Sequence, residues 1–342
     1  MPTDMATKKT PGLVIAGTIL VDIIKTVPVY PEAGRLVQYL DMEQSCGGAV
    51  PNTAIDLAKL DPDFPVRVFG KVGNDEYGRF AINMMQSVGL DVSKMLITDE
   101  APTSFTDVIN VRGGERTFFT LAGANAVLDV EDFDFNDLGA SHLHLAYLLL
   151  LGALDKPDPE YGCRSARLLA AAKAVGIRTS IDLISEPSDR YKTAVLPALP
   201  YVDVLIINEI EASAITGIKI EGQPTKETLN AISEKLLALG VREKVILHCP
   251  AMGVVHDREN GFLAVPSLDL PRDYIVGTTG AGDAFCAGAL YGLTHGYTDA
   301  ELLRLASLTA AASLGAADAV GGMLPISELA TLDKRFGRKP LI

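Results

Sequence analysis

The chain has 342 residues, with 43 acidic side chains against 30 basic ones and a net charge of −13. Hydrophobic residues make up 48% and charged residues 21%, a globular balance that excludes a disordered or low-complexity protein. The acidic surface argues against nucleic-acid and membrane-surface partners, because both are polyanions, yet permits one anionic ligand at a local positive spot such as a helix N-terminus. At about 150 residues per domain the length fits two domains, or one large α/β domain carrying an insertion.

In chain order, residues 1–10 (MPTDMATKKT) are polar, lack an apolar export segment and read as a flexible tail. LVIAG (Leu13 to Gly17) reads as a first buried strand. Val27 to Glu43 is strand-like but broken by Pro28, Pro31 and Gly34. VRVFGKVG (Val66 to Gly73) reads as a second strand, followed by a helix from near Tyr77. Thr103 to Val111 and Arg116 to Leu121 are period-2 runs joined through Gly113-Gly114, which suits a tight hairpin. HLHLAYLLL is apolar but too short to span a bilayer, so it reads as a buried strand. A helix from Arg164 to Val175 ends at Gly176, strands RTSIDLI and VDVLIIN (Val202 to Asn208) follow, and a helix over Lys226 to Leu239 is closed by Gly240. Strand KVILHC and two Ala-rich helices after Gly282 complete the pattern. Alternation of this kind predicts a mainly parallel sheet covered on both faces. The two early β pieces, about 27–43 and 103–121, read either as an edge extension of the main sheet or, the favoured reading, as a small separate sheet, a lid over the site that also offers a dimer surface.

Cys46, Cys163, Cys249 and Cys286 are far apart without a C-x-x-C pair and read as reduced thiols in a cytoplasm. His142 and His144 share a strand face but lack a neighbouring third ligand in the sequence, which favours core histidines over zinc.

The strongest chemical signal is Val276-Gly277-Thr278-Thr279-Gly280-Ala281-Gly282-Asp283-Ala284-Phe285. Small residues admit a ligand close to the backbone, and a helix beginning near Gly282 or Asp283 presents unpaired N–H groups and a positive dipole end to an anion. A carboxylate at that helix start is placed to take a proton from an alcohol beside the anion. The same dipole favours the ionised carboxylate and weakens it as a base, which phosphoryl transfer tolerates because the proton leaves late. Two other readings stand beside this one. Asp283 can be a helix cap without chemistry. Gly280-x-Gly282 can be half of a dinucleotide fingerprint, although Phe285 occupies the third glycine position. No G-x-x-x-x-G-K-[ST] loop and no protein-kinase motif occurs.

Thr278-Thr279-Gly280-Ala281-Gly282-Asp283-Ala284-Phe285-Cys286-Ala287-Gly288 resembles the C-terminal signature of the ribokinase/PfkB carbohydrate kinase family. Further stretches resemble it in the same order. They are Gly17-Thr18-Ile19-Leu20-Val21-Asp22, Gly47-Gly48-Ala49-Val50-Pro51-Asn52, Gly70 to Gly78, Gly123-Ala124-Asn125-Ala126 and Asn208-Glu209-Ile210-Glu211. The resemblance implies a ribokinase-like three-layer α/β/α fold with a mainly parallel central sheet and a small β lid, as one kinase domain over 12–342. It implies an ATP- and Mg2+-dependent transfer to a hydroxyl of a small sugar-like substrate. Asp283 would be the base, and Gly280, Ala281 and Gly282 would cradle the phosphoryl group. Asp22, at the end of the first-strand motif, Gly48 and Asn52 would bind the sugar. Asn208, Glu211, His248 and Gly253 would face the nucleotide, with Glu211 reaching magnesium through water.

Three positions depart from the family pattern. Gly277 stands where a cation-binding aspartate is common, so a monovalent cation is not expected. His248-Cys249-Pro250-Ala251-Met252-Gly253 replaces a T-x-G-x-x-G turn. Ala146-Tyr147-Leu148 lacks the glutamate by which ribokinases bind ribose. A nucleoside kinase, supported by Phe105, Phe118 and Phe119, and a non-catalytic sugar-binding regulator remain as alternatives.

Overall fold

The computed structural model describes residues 12–112, 114 and 116–341. The tail at 1–10 lies outside these residues, as do Gly113 and Glu115 of the glycine-pair turn. In the first third of the chain lie strands β1 (Leu13–Gly17), β2 (Leu20–Val27), β3 (Asp41–Gly47), β4 (Val66–Phe69), β5 (Lys71–Gly73) and β6 (Leu96–Thr98), with helices α1 (Ala49–Leu60) and α2 (Glu76–Ser87). The middle third holds β7 (Phe105–Val111), β8 (Arg116–Leu121), β9 (His142–Leu148), the short pair β10 (Pro157–Asp158) and β11 (Gly162–Cys163), α3 (Arg164–Ala174), β12 (Arg178–Leu183), β13 (Val204–Asn208) and α4 (Glu209–Thr216). The last third holds α5 (Lys226–Ala238), β14 (Lys244–His248), β15 (Met252–Asp257), β16 (Gly261–Pro266), α6 (Ala281–Thr294), α7 (Asp299–Ser313) and α8 (Ile326–Arg335).

Eight strands form the central sheet in the order β16-β15-β14-β13-β12-β9-β1-β4. From β4 to β14 all pairs are parallel, and the β14–β15–β16 edge is antiparallel. The parallel strands are apolar on both sides, as a doubly covered sheet requires: all five residues of β1 are buried. One apolar cluster joins the sheet to α3, α4 and α5, and a second joins the opposite face to α1, α2, α6, α7 and α8. These are the three expected layers. Among the described residues no helix is long and apolar enough to cross a membrane.

A second sheet, β3-β2-β7-β8, stands beside the first. Its placement corrects the expected boundaries. The first lid strand begins at Leu20, not Val27, and residues 28–40 carry no strand. Pro28 and Pro31 remove ladder donors there, so only the flanking segments pair. Asp22 is therefore the third residue of a lid strand, opposite Ser45 and Thr106, and not the end of β1. The run Val66 to Gly73 also divides: β4 joins the central sheet, whereas β5 pairs with β6. Gly70 lies at the break, where a β-carbon would stand 2.6 Å from Ile19 Cδ1. The β15–β16 hairpin had no counterpart in the sequence reading.

Helices α6 and α7 pack closely at Gly288. A β-carbon at Gly288 would lie 2.5 Å from Thr309 Oγ1 and 2.7 Å from Ala306 Cα. Gly288→Val is expected to lower stability by about 1–3 kcal/mol, the usual range for over-packing, with the urea midpoint falling at constant m-value. An unchanged midpoint would contradict this packing.

Candidate functional site

Helix α6 starts at the end of the central sheet, and its N-cap is Gly280. Gly280 has φ 80°, and a β-carbon there would come 2.4 Å from Ala319 O, so both conformation and space demand glycine. No side chain caps the helix. The amides of Ala281, Gly282 and Asp283 have no intrahelical acceptor. That of Ala281 makes a long 3.4 Å bond to Thr278 O, which leaves Gly282 and Asp283 as the freest donors.

Asp283 is not a cap. It is the third helical residue, buried, and its carboxylate turns to the sheet and to α1. Asn52 Nδ2 donates to Asp283 Oδ2 at 2.9 Å, and Tyr147 Oη donates to Oδ1 and Oδ2 at 2.9 and 3.0 Å. Burial, reinforced by the Asp182 carboxylate, raises Asp283 to about 7 against the lowering effect of those two donors. The sequence expectation of a base held low by the helix dipole is thereby corrected: loss of water outweighs the dipole.

Two cavities share Gly282 and His248 at this helix start, and a third, lined by Thr279, lies beside them without a common wall residue. The first, about 240 Å³, is lined by Asp182, Ser185, Asn208, Glu211, His248 and Asp283 among others. Asn208 caps α4 and forms a reciprocal capping box with Glu211. Glu211 Oε1 accepts from Ser185 Oγ at 2.8 Å and from Asn208 Nδ2 at 2.9 Å. Burial raises Glu211 to about 7, with Asp182 adding to the shift. A small chamber holding three carboxylates, two of them pushed toward neutrality, has the all-oxygen chemistry that suits Mg2+, a hard cation that retains water.

The second cavity, about 370 Å³, is more apolar, with walls from Leu268, Ile275, Phe285, Ala311 and Leu314. Ser307 Oγ lines it and is buried without a hydrogen-bond partner. His248 lies between the two cavities, its ring 4.8 Å from that of Phe285, and burial lowers it to about 4, so it is neutral at physiological pH. Gly253 is not brought to this site. It pairs with His248 on β15, where a β-carbon would meet Phe285 and Leu303, and it lines none of the three cavities.

The third cavity, about 290 Å³, lies under the lid, with Asp22, Glu43, Asn110, Arg116, Phe118 and Asp318 in its wall. Thr279 lines it from the α6 side, and Arg116 Nη1 donates to Thr279 Oγ1 at 3.3 Å, so lid and signature loop touch. Burial raises Asp22 to about 6. Gly47 and Gly48 join β3 to α1. A β-carbon on Gly47 would strike Asp22 Oδ2 at 2.1 Å, and Gly48, φ 88°, approaches Thr18 O. Gly48 thus seats α1 so that Asn52, one turn in, reaches Asp283.

Sequence reasoning missed Asp182, Tyr147 and Asp56. The visible signal for Asp182 was a lone carboxylate near the end of an apolar strand. Asp182 and Cys286 also come within reach of His144, whose Nε2 lies 3.5 Å from Asp182 Oδ2 and 3.4 Å from Cys286 Sγ. This corrects the view that no third group stands near the histidines. Both imidazoles are already bonded to Ser180 Oγ, at 2.8 and 2.9 Å.

Because Asp283 is raised from 3.8 to about 7, the native state holds a proton there that the unfolded chain has lost. Native stability from this group therefore falls as pH rises from about 4 to 7. Asp283→Asn is expected to raise the melting temperature at pH 8 and to lose that advantage below pH 4. Melts of both proteins from pH 4 to 9 check this, and a constant difference would refute it.

The sequence matches the pfkB family carbohydrate kinases over residues 11–325. It is 23% identical over 337 residues to a ribokinase of Schizosaccharomyces pombe, covering 94% of this chain and 99% of that one. It is 31% identical over 279 residues to a fructokinase of Klebsiella pneumoniae, covering 78% and 81%. The fold superposes on Arabidopsis thaliana ribokinase complexed with ribose and ATP with TM-score 0.78 and 22% identity, covering 94% of this chain and 98% of that one. With the collinear motifs and the helix-start geometry, the match over most of its length places the chain in the pfkB family of carbohydrate kinases.

Proposed function

We propose that this carbohydrate kinase passes the terminal phosphoryl group of ATP to a hydroxyl of a small sugar or sugar derivative, with Asp283 receiving the hydroxyl proton. The observation that carries the reading is the Asp283 carboxylate, raised to about 7 and set beside the free amides of α6. A base near the working pH combines a large ionised fraction with real proton affinity. Gly280, by its left-handed turn, frees the amides of Gly282 and Asp283, with Ala281 behind them, to offset charge on the migrating phosphoryl oxygens.

The apolar cavity suits the nucleobase, with His248 at its mouth and Ser307 Oγ as a polar anchor. Asn208 and Glu211 face the phosphates. Magnesium would be held through water by Glu211, with Asp182 opposite, and would supply charge neutralisation at the phosphates. Gly277 packs 2.7 Å, at its β-carbon position, from Ala316 O, so an aspartate would collide there and no monovalent cation is given a role. Asp22 binds sugar hydroxyls beneath the lid, while Gly48 and Asn52 do not line that cavity and act from the Asp283 side, Gly48 by seating α1 and Asn52 by holding the carboxylate. The lid excludes water, which limits idle ATP hydrolysis. Four buried thiols without a disulfide suit a reducing cytoplasm.

The lid also carries exposed apolar side chains, including Leu36 at 88%, Phe118 at 61% and Phe119 at 53% exposure. An apolar surface of this kind fits a second copy of the chain packed lid to lid. Phe119→Glu should convert a dimer to a monomer in sedimentation, and a wild-type monomer at micromolar concentration removes the dimer.

An ADP-release screen over pentoses, ketohexoses, keto-deoxy sugar acids, inositols and nucleosides tests the function. A nucleoside as best acceptor selects the nucleoside-kinase alternative, and no ADP release with any acceptor selects the regulator. Asp283→Asn is expected to lower kcat by on the order of 10²–10⁴ with acceptor affinity kept, whereas Asp22→Ala should raise KM for the acceptor. Wild-type turnover in the first, or an unchanged KM in the second, removes that residue from its role.

A further inference from the structure

Tyr147 has a left-handed backbone, φ 56°, and so has Leu149, φ 80°. No other described non-glycine residue has a positive φ. A side chain makes this conformation unfavourable, and it persists only where the surroundings over-determine it, most often at functional sites. Here two buried aspartates do so. Asp182 Oδ1 accepts the Tyr147 N–H at 2.5 Å, and the Asp155 carboxylate accepts the N–H groups of Leu149 and Leu151, both at 3.0 Å. The clamped turn delivers the phenol of β9 to the carboxylate of α6, where its hydroxyl spans both oxygens.

We propose that Tyr147 is the positioning residue of Asp283, its phenol favouring the ionised carboxylate and fixing its orientation for the acceptor hydroxyl. This rests on Asp283 being the base. The groups around Asp283 make the phenol matter. Asp182 from β12 raises it, and Asp56 from α1 and Glu211 from α4 are further carboxylates in the neighbourhood. His248 from β14 is neutral, and the Cys286 thiol of α6 is held protonated by burial. Among the described residues no lysine or arginine pairs with Asp283, so Asn52 and Tyr147 are the side chains that favour its ionised form, beside the N-terminus of α6. The Tyr147 phenol is itself pushed up, by burial and by Asp283, so it stays a donor.

The test is Tyr147→Phe, which removes the hydroxyl and keeps the ring. The acid limb of kcat/KM for the acceptor should move up by on the order of one pH unit, activity should recover toward pH 9, and KM for ATP should stay within about twofold, as expected for a group acting on the acid–base step alone. An infrared titration of the Asp283 carboxyl, with Asp283→Asn as the blank, should show the same shift without turnover. A folded Tyr147→Phe protein with an unmoved titration overturns the proposal while leaving the kinase reading intact. A shifted titration in a protein that phosphorylates no acceptor sinks the kinase reading and leaves the Tyr147–Asp283 pairing standing. If Tyr147→Phe does not fold, 3-fluorotyrosine at 147, a more acidic donor, should move the titration down, and no movement overturns the proposal.

Discussion

The site depends on one buried hydrogen bond, from Asn52 Nδ2 to Asp283 Oδ2. The two residues are 231 positions apart, on α1 and α6. Their contact joins the part of the chain that builds the lid to the part that builds the anion cradle. Such a bond tolerates little displacement, because its energy falls steeply with distance and angle. Much of the surrounding sequence reads as a means of holding it. Gly48 turns the chain into α1, small residues let α6 lie close to α7, and Gly280 lets the helix begin where the sheet ends.

Two opposing effects act on Asp283, and their sizes decide its chemistry. A helix N-terminus favours an anion by about 0.3–1 kcal/mol, up to about 2 in buried sites. A shift from 3.8 to about 7 corresponds to roughly 4 kcal/mol in the opposite sense. Burial wins, and the residue becomes a group that can both lose and gain a proton near neutrality. Glu211 behaves alike in the same cavity. Negative charge crowded into a small chamber disfavours ionisation of Asp283 and Glu211, so a cation or a polyphosphate–cation pair would be drawn in while these two released protons.

Much of this was legible in the residues. Alternating apolar runs gave the parallel sheet, because a strand buried on both faces has no freedom to be polar. The glycine-rich signature gave the helix start, because only small residues permit that approach. What was hidden had physical reasons. Asp22 belongs to a lid strand because its partners, Ser45 and Thr106, are 23 and 84 residues away, and pairing at such range leaves no local trace. Residues 28–40 looked strand-like by composition, but strand status is decided by a neighbour to bond with, and the prolines deny one. Tyr147 and Asp182 were invisible as functional groups because their roles arise from neighbouring strand ends meeting a distant helix.

The departures from the family pattern fall on two sides of the same helix start. On the side proposed for the nucleotide, His248 and Pro250 replace a glycine turn, and the loss of a backbone donor at Pro250 would leave recognition to apolar contact with Phe285, Leu268 and Leu314. Such contact is indifferent to hydrogen-bonding pattern, so on the proposed reading a base would be selected there mainly by shape, with Ser307 Oγ as a polar contact. On the acceptor side, a phenol aimed at Asp283 stands at the strand end where ribokinases carry a ribose-binding glutamate. Acceptor selection would then fall to the lid cavity, where Asp22, Glu43 and Asp318 share a wall with Arg116. Arg116 also donates to Thr279, beside Gly280, so the lid sheet and the loop before α6 are in direct contact. On the proposed reading, the acceptor wall and the phosphoryl cradle share this one side-chain contact.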